Sequence, residues 1–262
     1  MTYPFHVDLR FAISGLLVGL LVGQTGVGGG SLMTPLLMLV FGIHPATAVG
    51  TDLLYASATK SVGTIVHGLS GTVNWRIVRR LASGSLPGTA LGLAILSRLD
   101  PASRGQMHGI SVILGIMLII TAMSLFFRTR LVAILGPKLD RVSPRGQTVM
   151  TVVTGFALGL LVTMTSVGAG ALGVTALLLL YPRERLPVIV GTDIAHAVPL
   201  TLLAGMGHWW LGSVDFVLLV GLLCGSIPGI IIGSWLATRM PETVLRPILA
   251  ATLTVVGVKI VL

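Results

Sequence analysis

Two aspartates, a lysine and two histidines stand inside segments that are otherwise apolar. At about 100° per residue, Asp52, Thr59, Lys60 and His67 share one arc of a helix. Asp193, Thr201 and His208 trace the same arc further along, with His196 beside it. A charge at the centre of a bilayer costs about 2.5–3.5 kcal/mol on insertion scales, so such groups are paired or functional. Lys60 either holds an anionic substrate or pairs with Asp52 or Asp193 and locks two helices together. Asp52 and Asp193 each follow a Gly-Thr pair. There a carboxylate either complements a helix start or handles a proton or cation. Thr51 and Thr192 join them as coupling or gating candidates. His67 and His208 either relay protons or bond a carbonyl near an interface.

The second constellation is a pair of glycine turns. One holds Thr25, Gly28, Gly29, Gly30 and Ser31; the other holds Thr165, Gly168 and Gly170. Glycine disfavours a continuous helix by about 1 kcal/mol per residue, so each turn reads as an unwound joint between half-helices. Such a joint is tolerated at membrane depth only where it is buried in protein or lines a cavity. The half-helix after it aims free N–H groups and a positive dipole end at the joint, which suits an anion. The alternative is close helix packing through small residues. No strand precedes the glycine run, so it is not a dinucleotide fingerprint.

The elements that must carry these residues come in two copies. With a shift of 140, Gly19-Leu20-Leu21-Val22 falls on Gly159-Leu160-Leu161-Val162, and Thr25, Gly28 and Gly30 fall on Thr165, Gly168 and Gly170. With a shift of 141, Gly50-Thr51-Asp52 falls on Gly191-Thr192-Asp193, His67 on His208, and Ser85-Leu86-Pro87-Gly88 on Ser226-Ile227-Pro228-Gly229. Lys60 falls on Thr201, so this cation has no twin. Apolar segments are predicted near 11–42, 47–67, 75–97, 104–127, 148–181, 187–208, 214–238 and 243–261. This divides the chain into repeat one (1–127), a basic linker (128–147) and repeat two (148–262), all in one membrane domain. Duplicated membrane units broken by glycine at matching places are the mark of transporters with a site between the repeats.

Charge chooses the topology. If each broken segment is a re-entrant hairpin and repeat two is inverted, one side gathers Arg76, Arg79, Arg80, the linker's basic residues, Arg183, Arg185, Arg239 and Arg246. Arg10, Arg98, Arg104 and Lys259 face the other side. Eight full crossings in parallel copies separate the charges less well, so the positive-inside rule selects inverted repeats with both termini periplasmic. The predicted fold is an all-α polytopic membrane protein of two inverted repeats. Each repeat is a re-entrant helical hairpin plus three transmembrane helices. Pro87, Pro228 and Pro199 fall inside helices as hinge candidates, and the tryptophans Trp75, Trp209, Trp210 and Trp235 read as interfacial anchors.

Composition agrees. Mean hydropathy is +0.99, and 10% of residues are charged, which excludes a soluble globular protein. The net charge of +9 sits between apolar runs, where it sets topology and meets anionic headgroups instead of nucleic acid. Cys224 is the single cysteine, and its repeat partner is Ser83. No HExxH, CxxC or paired-histidine spacing supports a metal, and no cofactor motif is present.

The run GVGGGSLMTPLLMLVFGIHPATAVGTDLLYASATKSVGTIVH, followed by GTVNWRIVRRLASGSLPG, resembles the sulfite exporter/toluene-sulfonate uptake permeases (TauE/SafE-like). The resemblance runs through both repeats. It rests on the glycine turn followed by Pro35 and on the G-x-V-[DN]-W element. Asn74 stands where the acid before the tryptophan is usual, while Asp215 keeps it in repeat two; Met164 faces Gln24 across the repeats. The resemblance implies a bacterial inner-membrane permease for sulfite, organosulfonate or a related small sulfur-containing anion, working as a secondary transporter. The anion is expected near midplane on the glycine turns, Thr25, Thr165 and Lys60, with Asp52 or Asp193 coupling a proton as the repeats rock. A passive anion channel is the alternative, and an intramembrane hydrolase using Asp52 and Asp193 is a more distant one.

Overall fold

The computed structural model describes residues 9–25, 30–99, 104–237 and 242–261, all of whose regular elements are helices. In chain order these are α1 (Leu9–Thr25), α2 (Gly30–Leu39), α3 (Pro45–Leu69), α4 (Trp75–Leu96), α5 (Arg104–Leu139), α6 (Pro144–Thr165), α7 (Ala171–Leu180), α8 (Leu186–Trp210), α9 (Phe216–Ala237) and α10 (Glu242–Val261). Among the described residues, His108–Leu139, Pro144–Thr165 and Leu186–Trp210 are long and apolar enough to cross a membrane. The protein is a multi-pass membrane protein.

Local chemistry explains where the helices stop and start. The G-x-V-[DN]-W element is a helix stop joined to a helix start. Gly71 and Gly212 take positive φ after α3 and α8, a conformation glycine adopts without a Cβ penalty. Thr72 N–H then bonds His67 O, and Ser213 N–H bonds His208 O. Asn74 Oδ1 accepts from Arg76 N–H and Ile77 N–H, and Asp215 Oδ1 accepts from Leu218 N–H. Asparagine and aspartate are equally good N-caps, so the exchange of Asn74 for an acid leaves the joint intact.

Residues 128–139, part of the expected linker 128–147, are helical. They extend α5, and only a short turn separates Leu139 from Pro144. Pro137 comes so close to the end of α5 that it removes little of the ladder, and its ring need not stop the preceding turns. The start of α6 is fixed by Ser143, which accepts from Gly146 N–H, and by Pro144 in the first turn.

Helices pair across the copies. Gly15 and Gly19 of α1 lie against the backbone of Leu222 and Ser226 in α9, while Gly225 and Gly229 lie against Ala12 and Leu16. Both sets advance together, so α1 and α9 run parallel. Gly84 and Gly88 of α4 meet Val152 and Phe156 of α6, and Gly155 and Gly159 meet Leu81 and Ser85, again in parallel. A methyl group at any of these glycines would fall on a backbone atom of the neighbour. The absence of a side chain is what lets the helices touch.

The pair α3 and α8 runs antiparallel. Gly50 packs on His208, Leu54 on Gly205, Gly63 on Ile194, and His67 on Gly191. The glycine joint between α6 and α7 folds that pair back on itself: Gln147 Nε2 donates to Leu180 O at 2.6 Å, and the Thr151 and Tyr181 hydroxyls meet at 2.8 Å. The Phe11 and Phe41 rings, 5.0 Å apart, likewise bring the start of α1 to the end of α2. At one end of the molecule Asn74 Nδ2 donates to Glu184 Oε1 at 3.0 Å, Arg80 Nη1 to Tyr181 Oη at 3.3 Å, and Arg183 pairs with Asp140 at 2.8 Å. The basic loops before α4, α6 and α8 therefore share one face.

Candidate functional site

The antiparallel pairing of α3 and α8 sets the level of each charge. Its midpoint falls near Thr59, midway between the contacts Gly50–His208 and His67–Gly191. Lys60 is within about 2 Å of that midpoint along the axis, at 1.5 Å per residue. Asp52 stands roughly 10 Å to one side and Asp193 roughly as far to the other. All three are buried. They form a column of carboxylate, ammonium and carboxylate through the centre of the fold. Neither aspartate is at a helix start, because the N-caps of α3 and α8 are His44 and Arg185. The helix-start alternative therefore survives only toward a neighbouring helix, as for Asp193 beside Gly173 in the first turn of α7.

The joint between α6 and α7 closes on this column. Ser166 is left-handed, and Gly168 and Gly170 have φ of 113° and 141°. Lys60 Nζ donates to Ala169 O in the joint at 2.6 Å. The Thr165 hydroxyl donates to Leu161 O at 2.7 Å and accepts from Val167 N–H at 3.2 Å, so it shapes the turn. The ladder of α7 begins with Gly173 N–H to Gly168 O and Val174 N–H to Gly170 O, and a helix leaves its opening amides without ladder acceptors. Asp193 lies against Gly173 in that first turn, where any side chain would collide with its carboxylate.

The two carboxylates are held differently. Asp52 Oδ2 accepts from Thr34 Oγ1 of α2. Val174 occupies the equivalent place in repeat two and cannot donate. Both oxygens of Asp193 are buried without a hydrogen-bond partner, whereas the Ser166 side chain and the Thr34 backbone also approach Asp52.

Other candidates are distributed as follows. Gly28 and Gly29 lie outside the described residues. Thr25 ends α1 and Gly30 begins α2, with their side chains also outside the description. Ser31 is buried in the first turn of α2. Thr51 Oγ1 accepts from Asp215 N–H at 3.1 Å, and Thr192 Oγ1 from Asn74 N–H at 2.9 Å. Each threonine thereby ties its helix to the loop of the other repeat. His67 Nδ1 meets Thr72 Oγ1 at 2.8 Å. His208 Nε2 donates to Thr163 O at 2.9 Å, and its Nδ1 is buried without a partner. The histidines sit at the two ends of the α3–α8 pair, not at its centre.

Tyr55 and His196 are repeat equivalents, and so are Ser226 and Ser85. Tyr55 Oη meets Ser226 Oγ at 2.6 Å, and His196 Nε2 meets Ser85 Oγ at 2.9 Å. The shift of 141 that aligns the copies was the signal for these pairs. An open hollow of about 410 Å³ beside Gly136, Asp140 and Arg183 lies at the basic end, away from the column.

A helical membrane protein of two like halves, with charges buried at the centre of their shared helix pair, defines a polytopic transporter class. The profile of the sulfite exporter TauE/SafE family matches residues 11–260. The chain is 41% identical over 256 residues to "Probable membrane transporter protein YjnA" of Bacillus subtilis (strain 168), covering 97% of this chain and 100% of the relative. It is 28% identical over 249 residues to "Probable membrane transporter protein YdhB" of the same organism, covering 92% and 95%. A "Probable membrane transporter protein" of Xylella fastidiosa (strain 9a5c) is 29% identical over 238 residues, covering 86% and 83%. The chain belongs to the sulfite exporter TauE/SafE family, a family of membrane transporters. No solved structure matches it.

Proposed function

We propose that the protein is a secondary carrier of sulfite, an organosulfonate or a related small sulfur-containing anion, binding it at midplane beside Lys60. The observation that carries this reading is Lys60 itself: a buried ammonium at the centre of the α3–α8 pair, donating to the carbonyl of a glycine joint. Its contact is with a neutral backbone oxygen, which an oxyanion replaces with a stronger, charge-assisted bond. The opening amides of α7 face the same joint and add donors. Asp52 or Asp193 couples a proton.

The copies are inverted repeats, 1–127 and 148–262, each with a re-entrant hairpin. The antiparallel course of α3 and α8 supports a two-fold axis lying across the helices, in the membrane plane. The hairpin closures at Gln147–Leu180 and Phe11–Phe41 support re-entry. The shared face of the basic loops supports a cytoplasmic assignment for that end and periplasmic termini in a bacterial inner membrane. Alternating access then moves the glycine-packed pairs α1–α9 and α4–α6 about the α3–α8 centre. Each pair joins the two repeats, so the repeats themselves do not move as separate bodies.

The test is counterflow in proteoliposomes: labelled sulfite outside, unlabelled sulfite inside, with competitors added in turn. Transient accumulation that sulfonates and thiosulfate suppress, and carboxylates do not, is the expected result. Unitary currents in a planar bilayer, with no counterflow, would replace the carrier by a channel.

A further inference from the structure

We infer that Asp193, and not Asp52, binds the proton that enters with the anion. The inference rests on the anion-carrier reading and deepens it. Asp52 already has a donor in Thr34, whereas neither oxygen of Asp193 has any partner. Asp193 presses on Gly173 at the start of α7, the place where a helix end favours negative charge. The carboxylate thus stands where the substrate's charge belongs.

With Asp193 ionised, the start of α7 carries an excess negative charge, which repels an incoming anion whether or not Asp52 is charged. A proton taken from water onto an Asp193 oxygen removes that excess. Lys60 can then leave Ala169 O for the anion, while Asp52 keeps its threonine. Loss of the same proton to the other side restores the repulsion and expels the anion. Proton and anion are coupled because each lowers the cost of binding the other.

The groups that face Asp193 are few. Lys60 acts from α3, and His67 of the same helix packs on Gly191, two residues from Asp193. His196 shares α8 and is engaged with Ser85 of α4. The sequence of α7 contains no titratable residue, and that of α6 contains only Arg145 in its first turn.

The experiment is calorimetric titration of the purified protein with ethanesulfonate, whose charge is fixed through the neutral range, in two buffers of different ionisation enthalpy. Wild type should take up about one proton per anion above the titration of Asp193, and its affinity should fall toward tenfold per pH unit as pH rises. D193N should bind with no proton uptake and a flat pH profile, while D52N still takes up a proton. Proton uptake that persists in D193N, or that disappears in D52N alone, overturns the assignment. The wild-type proton count needs no variant to fold: binding without proton uptake overturns this inference alone. Absence of binding by ethanesulfonate or sulfite at any pH overturns the carrier reading together with it.

Discussion

Lys60 stands opposite Thr201 in the repeat, and Thr34 opposite Val174; these two exchanges make one half of the column unlike the other. Thr34→Val removes the hydroxyl donor to the buried Asp52 Oδ2 and leaves this carboxylate less well satisfied. It should destabilise the protein by about 1–3 kcal/mol, read as a lowered midpoint of thermal unfolding in detergent. In the Thr34→Val/Asp52→Asn double variant the loss should be less than the sum of the singles. Asp52, Lys60 and Asp193 were legible in the sequence because a charge in an apolar segment needs a reason to be there. Thr34 was not, since a threonine in a membrane helix usually bonds its own carbonyl four residues back, as Thr165, Thr175 and Thr254 do here. Only the fold of α2 against α3 turns it toward Asp52.

At the level of elements, the glycines divide into those that permit contact and those that permit a turn. Gly155→Ala drives a methyl into Leu81 O and should part α4 from α6, at about 1–3 kcal/mol for overpacking. Gly109 in α5 has open space around it, so Gly109→Ala should be neutral or stabilising by up to about 1 kcal/mol. Comparing their thermal midpoints checks the distinction. The same spacing was readable as a helix break or as close packing; the sequence offered no way to assign each glycine, because the partner backbone comes from the other repeat. The break at 166–170, between α6 and α7, falls where the density of glycine placed it; its counterpart at 26–29 lies outside the described residues. The end of α5 was not legible: the cluster Arg128, Arg130 and Lys138 suggested a linker, yet charged residues with long stems are good helix formers, and nothing before Pro137 interrupts the helix.

For the whole molecule, the inverted arrangement predicts sidedness. In a Cys224→Ser background, Arg141→Cys should resist a membrane-impermeant maleimide in intact cells and react after permeabilisation, while Ser213→Cys should react from outside. Labelling of both from one side would exclude the arrangement. The measurement that bears most directly on the central claim is uptake of radiolabelled sulfite by proteoliposomes containing wild type or Lys60→Gln, with and without an imposed pH gradient. Loss of a charged hydrogen bond to the anion should weaken saturable uptake by about tenfold to a hundredfold, while the variant stays monodisperse and thermally stable. Undiminished uptake in Lys60→Gln would make the lysine a structural tie between α3 and the glycine joint, and would contradict the account.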